Sequence, residues 1–436
     1  MFAYYLDLAL RSFRRNKVLT LLMVMAIALG IGASMTTLTV FYVLAGDPIP
    51  HKSKQLFYPR LEPRGMDGFT PGDEPEEQMS RFDAEALLRD KRGDLQAVMS
   101  GGNMAVQPQD GKTPPFHAES RYTSADFFRM FDVPFRYGNG WTAGEDEARA
   151  NVAVISKALN DKLFGGADSV GRTLVADKTS FRIVGVMDDW RPVPKFYDLT
   201  NDRFTEVEQV FVPFQTALVL NLGTSGNMNC WGDSGNDEQG ARALNAPCTW
   251  LQYWVQLDSA DKVAAYKQYL MNYSDQQRAA GRYERPTNVR LHSVMEWLEE
   301  QNSVPGDVRL QMWLALGFLL VCLLNTVGLL LAKFLRRSSE IGVRRALGAS
   351  RREIFAQFLV EAGMIGLVGG LAGLALAWLG LWAVRQQPAG YAELAHMDLP
   401  MLLTTFVLAI VASVLAGLLP AWRAMQVTPA IQLKSQ

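Results

Sequence analysis

The sequence predicts a multi-pass α-helical membrane protein, with four transmembrane helices and a two-lobed α/β domain between spans 1 and 2. Three observations predict it. Four apolar stretches, roughly Val18 to Val43, Leu310 to Ala332, Phe355 to Val384 and Leu399 to Ala421, each supply the ~20 apolar residues that a bilayer crossing needs. The segment between the first two has an ordinary soluble composition, with strand and helix patterns in alternation. The third observation is where Lys and Arg fall in the short segments. Arg11, Arg14, Arg15 and Lys17 precede the first span, and Lys333, Arg336, Arg337, Arg344, Arg345, Arg351 and Arg352 lie between the second and third. Arg423 and Lys434 follow the fourth, whereas Gln386 to Leu399 holds neither Lys nor Arg. Cytoplasmic loops carry the excess of these residues. Both termini and the basic loop are therefore placed inside, and the large domain outside.

Residues 1-17 repeat Phe2, Tyr5, Leu6, Ala9, Leu10 and Phe13 at three- and four-residue intervals, with the basic residues mostly off that face. This is the pattern of a helix lying in the membrane interface; a cytosolic extension of the first span is the alternative. Residues 18-45 form the first span. Its apolar run exceeds the roughly 7–15 residues of a signal peptide, so it is read as retained.

Residues 46-306 form the outer domain. Val152–Ile155 reads as a strand, Ser156 caps a helix through Phe164, and Gly165-Gly166 end it. Thr173–Ala176 and Phe181–Val186 pair around a turn at Asp177–Lys178. Trp254–Leu257 and Asn288–Leu291 read as strands, and Ala260–Tyr273 and Ser293–Glu300 as helices. Asn221 to Pro247, rich in Gly, Asn and Asp, reads as an irregular loop. Cys230 and Cys248 fall at that loop, outside the cytoplasm, where disulfides persist. A bridge between them is expected, worth roughly 3 kcal/mol in the chain-entropy model, with two unpaired thiols as the alternative. Cys322 lies in a span and packs there. The remaining segments are 307-334 (second span), 335-352 (cytoplasmic loop), 353-385 (third span), 386-398 (short outer loop), 399-422 (fourth span) and 423-436 (cytoplasmic tail).

The cytoplasmic loop is the most informative segment: Arg336-Arg-Ser-Ser-Glu-Ile-Gly-Val-Arg-Arg-Ala-Leu-Gly-Ala-Ser-Arg-Arg-Glu353. Ser339 is placed to cap a short helix from Glu340 to Leu347, with Glu340 at its positive end and Gly348 as the stop. Ser350 to Glu353 has capping-box spacing and starts the third span. The helix would carry an apolar side (Ile341, Ala346, Leu347) and a basic side (Arg344, Arg345). Such an element fits a groove on a cytoplasmic partner and passes a push to the two spans that flank it.

Here the residues resemble a family. Glu340-Ile-Gly-Val-Arg-Arg-Ala-Leu-Gly-Ala349 looks like the coupling-helix signature of MacB/FtsX-type ABC permeases, the type VII or mechanotransmission group. Asn325 and the apolar run into Arg336 are similar to that family's second span, and Pro420-Ala-Trp-Arg-Ala-Met-Gln-Val-Thr-Pro429 to its ending. Asp126-Phe-Phe-Arg-Met-Phe131 and Val152 to Val186 resemble its periplasmic core domain. The resemblance implies a permease subunit of the bacterial inner membrane, paired with a second copy or a paralogue. ATP and Mg would be held by an ABC ATPase partner, and no cofactor by this chain. No Gly-x-x-x-x-Gly-Lys-Ser/Thr phosphate loop occurs in the sequence, so the ATPase is expected on another polypeptide. The resemblance also implies lobes built from about 50–115 with 250–305 and from 116–249, and coupling through Glu340, Ile341, Gly342, Val343, Arg344, Arg345, Ala346, Leu347 and Gly348. It leaves open the substrate (drug, peptide, lipid or lipoprotein) and whether a periplasmic adaptor and outer-membrane channel take part. The alternative is an FtsX-like signalling subunit that activates a periplasmic enzyme; the larger outer domain favours transport.

In the third span, Gly366, Gly369, Gly370 and Gly373 form two overlapping Gly-x-x-x-Gly pairs, suited to close helix approach. Asn325 and Glu361 are polar groups in apolar runs, costly and often functional; Glu361 either acts within the span or simply reaches the interface. Other signals are discounted. A net charge of −1 without a basic stripe excludes nucleic acid as partner. Gly232-Asp-Ser-Gly235 echoes a serine-protease nucleophile, but His51, His117, His292 and His396 are scattered and supply no partner for it. No cluster has metal-ligand spacing, and the run Asp73-Glu-Pro-Glu-Glu77 reads as a solvated loop.

Overall fold

The computed structural model describes residues 2–15, 17–109, 113–200, 203–233, 239–387 and 391–426. Serine and glycine of the protease-like motif, and the tail from 427 with Lys434 and Pro429, lie outside the described residues. The chain divides into two compact units, Met1–Ala45 with Val304–Gln436, and Gly46–Ser303.

In the first unit, four helices among the described residues are long and apolar enough to cross a membrane: Lys17–Ala45, Gly306–Leu335, Arg351–Val384 and Leu399–Met425. A shorter helix, Phe2–Arg15, precedes them, and another, Ser338–Ala346, joins the second span to the third. The third span packs closely against the first and the fourth, and its glycines show how. A Cβ at Gly366 would lie 1.8 Å from Ser413 Cβ on the fourth span, and one at Gly369 would lie 2.8 Å from Ile27 on the first. Gly370 likewise meets Ala409, and Gly373 meets Ile31. The two Gly-x-x-x-Gly pairs thus serve different neighbours: Gly366 and Gly370 admit the fourth span, Gly369 and Gly373 the first. Met23, Ile27, Ile31, Ile354, Phe358 and Ile365 fill the core between them.

In the second unit the strands join in one thirteen-stranded sheet among the described residues. Its main path runs Arg290–Ser293, Leu56–Arg60, Cys248–Gln256, Leu95–Gln107, Phe116–Thr123, Val210–Pro213, Val152–Ile155, Thr179–Met187, Phe135–Gly138. Strands from both sequence ends of the domain occupy one end of the path, and those from its middle the other. The sheet is buried on both faces, because successive side chains point to opposite sides and both sides are apolar. Phe57, Val98, Tyr253, Val255, Ile155 and Val210 enter one core, while Tyr58, Ala97, Met99, Trp254, Val154 and Phe211 enter the other. The second core is unusually aromatic: Phe127 packs edge-on against Phe131 at 4.9 Å, and Tyr58 stacks on Trp297 at 4.2 Å.

Local signals explain the turns. Ser156 accepts a hydrogen bond from the Leu159 N–H at the start of Lys157–Phe164, and Gly165 ends that helix at φ +63. Asp177 and Lys178 both adopt positive φ in the two-residue hairpin turn. Two expectations need correction. The stretch 221–247 contains short strands at Thr224–Ser225 and Asn229–Cys230 and a helical turn at Gly240–Arg242, because neighbouring strands supply ladder partners. The acidic run is not a solvated loop. Glu76 is buried and accepts from Asn229 and Thr249, its charge paired with Arg64 at 3.1 Å, while Glu74 pairs with Arg290 at 3.0 Å. Cys230 and Cys248 face each other on antiparallel strands and form a disulfide.

Candidate coupling site

The loop between the second and third spans folds as a helix, Ser338–Ala346, which starts two residues before the Glu340 start that a Ser339 cap would give. Arg337 occupies the cap position and no side chain caps the helix, since only the two turn residues 336 and 337 separate it from the preceding span. Glu340 falls in the first turn, where carboxylates are favourable, and Gly348 at φ +102 closes the segment. Ser350 and Glu353 form a reciprocal capping box that starts the third span.

The apolar residues of this helix do not share one side. Ile341 is 4% exposed and packs with Ile354 and Phe358 of the third span, and Gly342 is buried beside it. Leu347 is 83% exposed and Val343 57%, with Ala346 exposed between them. The uncovered apolar face is therefore Val343, Ala346 and Leu347. The expected basic side also divides. Arg344 turns inward, donating to Glu340 and to Gln357 Oε1, each at 2.9 Å, while Arg345 is half-buried.

Behind the helix lies a chain of charge. Glu361 is 2% exposed, so it does not reach the interface as one reading allowed. Its Oε1 pairs with Lys333 Nζ of the second span at 2.7 Å and accepts from the Ser12 hydroxyl of the N-terminal helix. Its Oε2 accepts from Arg337 Nη1 at 3.3 Å. Lys333 is fully buried and also reaches Thr20 Oγ1 of the first span at 3.5 Å. Arg337 in turn donates to both Glu340 oxygens at 3.2 Å. A continuous path of hydrogen bonds thus runs from Gln357 through Arg344, Glu340, Arg337 and Glu361 to Lys333. It joins the short helix to the first three spans and to the N-terminal helix. In low dielectric each member depends on the others, since a buried charge without its partner is costly.

Sequence reading singled out Glu361 and Glu340 but missed Lys333, Arg337, Gln357 and Ser12 as site residues. A signal was present. Lys333 and Arg337 lie four residues apart, as do Gln357 and Glu361; the second pair shares one face of the third span, and Arg337 sits in the turn just past the second span. The two pairs face each other at the same end of consecutive spans. Asn325 joins none of this: it is exposed, and its amide has no hydrogen-bond partner among the described residues.

Residues 20–273 match the family model described as MacB-like periplasmic core domain, and residues 312–429 the one described as FtsX-like permease C-terminal. The chain is 26% identical over 326 residues to the pyoverdine export ATP-binding/permease protein PvdT of Pseudomonas aeruginosa, covering 74% of this chain and 43% of that protein. It is 25% identical over 443 residues to the macrolide export ATP-binding/permease protein MacB of Marinobacter nauticus, covering 98% of this chain and 60% of that protein. The chain spans about half the length of the curated relatives it matches. Among solved structures, the periplasmic region of MacB from Actinobacillus actinomycetemcomitans aligns at 13% identity with a TM-score of 0.36, covering 59% of this chain and 97% of that one.

Proposed function

Because the chain belongs to the MacB/FtsX family of ABC-transporter permeases with a MacB-like periplasmic core domain, we propose that it is the permease subunit of an exporter, driven from the cytoplasmic side by an ABC ATPase outside these 436 residues. The observation that carries this reading is the division of the short helix Ser338–Ala346. One side, Val343, Ala346 and Leu347, is apolar and uncovered; the other is tied through Glu340 and Arg344 to the buried charge chain. A partner that grips the uncovered side moves the second and third spans together, and Glu361 carries the displacement to the first span and the N-terminal helix. The outer domain is continuous in sequence with the first span at Gly46 and with the second at Ser303, so it moves in response.

In this reading the ATPase binds ATP and Mg, and this chain supplies motion. The subunit resides in the inner membrane, pairs with a second permease, and exports or extrudes a drug, peptide, lipid or lipoprotein from the periplasm or outer leaflet. The relatives named for pyoverdine and macrolide export support export as the activity class. Co-purification of the ATPase with the full chain tests the reading. Leu347→Asp places a charge in the apolar grip and is expected to reduce association at least about tenfold. Unchanged association would overturn it, and a cell-wall enzyme retained by the full chain in place of transport would favour the signalling alternative.

A further inference from the structure

We propose that a cleft on the outer domain binds a small organic cation with an aromatic body, its charged end among Asp126, Asp146 and Glu147 and its body over Phe128 and Phe135. The proposal rests on the exporter reading for the role of that molecule, the exported substrate, and deepens it by naming a site and a charge. Two cavities meet in this cleft. One of about 730 Å³ has Phe128, Val133, Phe135 and Trp141 in its lining. The other, of about 350 Å³, takes its acidic lining from Asp94, Asp126, Asp146 and Glu147. Ala125, Asp126 and Ala143 line both, so the two join there. Cavities of this size hold a drug-sized molecule, and aromatic walls with a few convergent polar groups are what such sites present.

The walls are set before any ligand arrives. Phe128 packs edge-on against Trp141 at 4.8 Å and against Phe135 at 5.5 Å. A Cβ at Gly140 would lie 2.4 Å from the Phe128 ring, so glycine lets the turn at 138–142 rest directly on it. The Trp141 indole N–H donates to Asp146 Oδ1 at 2.8 Å, and Thr142 with Glu145 forms a capping box that fixes the next helix, Ala143–Glu147. Lys52, in the segment that follows the first span, donates to Arg129 O at 2.9 Å and pairs with Asp132 at 2.6 Å. Arg129 and Asp132 line the larger cavity, so a displacement of that segment reaches the wall of the cleft.

Charge picks the occupant. Asp94 is matched by Lys262, and Asp132 by Lys52. Asp126 accepts from the Gln96 N–H, and Asp146 from the Ala125 N–H and Trp141, but neither these two nor Glu147 has an ion-pair partner among the described residues. Lys91 and Arg129 also line the cleft, one in each cavity, which leaves the smaller cavity with three unmatched carboxylates to one ammonium. Burial, with the Asp126 charge adding to it, pushes the Asp146 carboxyl up to about 6 despite its two hydrogen bonds. A cation among the three relieves their repulsion, whereas an anion adds to it. The aromatic wall favours a flat or apolar body beside that charge.

The test uses the full chain in lipid nanodiscs without the ATPase, and quinacrine as probe, an acridine ring carrying a cationic amine chain. Saturable quinacrine binding above that of empty nanodiscs is expected, with fluorescein, an aromatic anion, bound at least about tenfold more weakly. Ala143→Trp fills the junction of the two cavities from an exposed helix position, and should raise the quinacrine dissociation constant at least about tenfold with the unfolding temperature unchanged. Glu147→Lys, also at an exposed position, should raise it about threefold to tenfold. No saturable binding, equal affinity for fluorescein, or quinacrine affinity undiminished in either variant overturns the proposal. Failure here with the ATPase still co-purifying leaves the exporter reading standing; quinacrine held at the cleft of a chain that binds no ATPase would be that reading's own failure.

Discussion

The buried charge cluster around Arg121 in the outer domain is closed on itself, whereas the cluster around Glu361 in the membrane unit has an open end. Arg121, fully buried in the sheet, pairs with Asp198 at 2.6 Å and with Glu208. Lys195 and the Tyr197 hydroxyl complete the shell around Glu208 at 3.2 and 2.8 Å. All these groups come from one strand and the nearby segment 195–208. Around Glu361 the partners come instead from the N-terminal helix, the second span and the segment leading to the short helix, and the path ends at Glu340 and Arg344. Those two side chains are 34% and 32% exposed. A closed cluster fixes one arrangement of the sheet. An open one can transmit a displacement applied at its exposed end.

The largest expected effect lies in the closed cluster. Arg121→Met leaves two carboxylates with Lys195 alone, and should lower the unfolding free energy of the outer domain by roughly 3–5 kcal/mol, read by denaturant unfolding of the full chain. Acid gives a second readout. Burial alone would raise the Asp198 and Glu208 pKa values, but Arg121, with further help from Lys195, holds both below their ordinary 3.8 and 4.5. Their contribution is therefore complete above those ordinary values and lost as pH falls through the depressed folded ones. The wild type should lose stability in that acid range and Arg121→Met much less. Equal acid loss in both would break the contrast between the clusters.

At the open end the expected stability effect is smaller. Glu340→Ala removes partly exposed ion pairs, each worth about 0.2–1 kcal/mol, so thermal unfolding of the membrane unit should shift little. A loss comparable to that of Arg121→Met would show that the path is sealed at both ends and would remove the contrast.

The spans, the domain between the first two and the short cytoplasmic helix were legible because each is written in one continuous stretch: apolar length, charge placement, a period of 3.6 and a glycine stop. The glycine pairs were legible as close contacts, but not the split of Gly366 and Gly370 from Gly369 and Gly373, which depends on where two other helices pass. Ile341 was assigned to the outward apolar side because a helix wheel shows residues as apolar without showing which side the third span covers. Glu361 was visible as an anomaly, yet its partners read only as orientation charges. Lys333 and Arg337 belong to a site solely because consecutive antiparallel spans bring the same depth together. Glu76 was misread for the same reason, its partners lying far along the chain at Arg64, Asn229 and Thr249.

Nucleotide-driven change in the outer domain, measured in the complete complex with and without Glu361→Gln, is the most direct test of coupling through the buried chain. Hydrogen exchange at residues 46–55 and 294–303, which lead into the first and second spans, supplies the readout. In the wild type, exchange there should change when ATP is added. In Glu361→Gln the ATPase should still co-purify and hydrolyse ATP, while the change in exchange at those residues disappears. The same nucleotide-dependent change in Glu361→Gln as in the wild type would contradict coupling through Glu361.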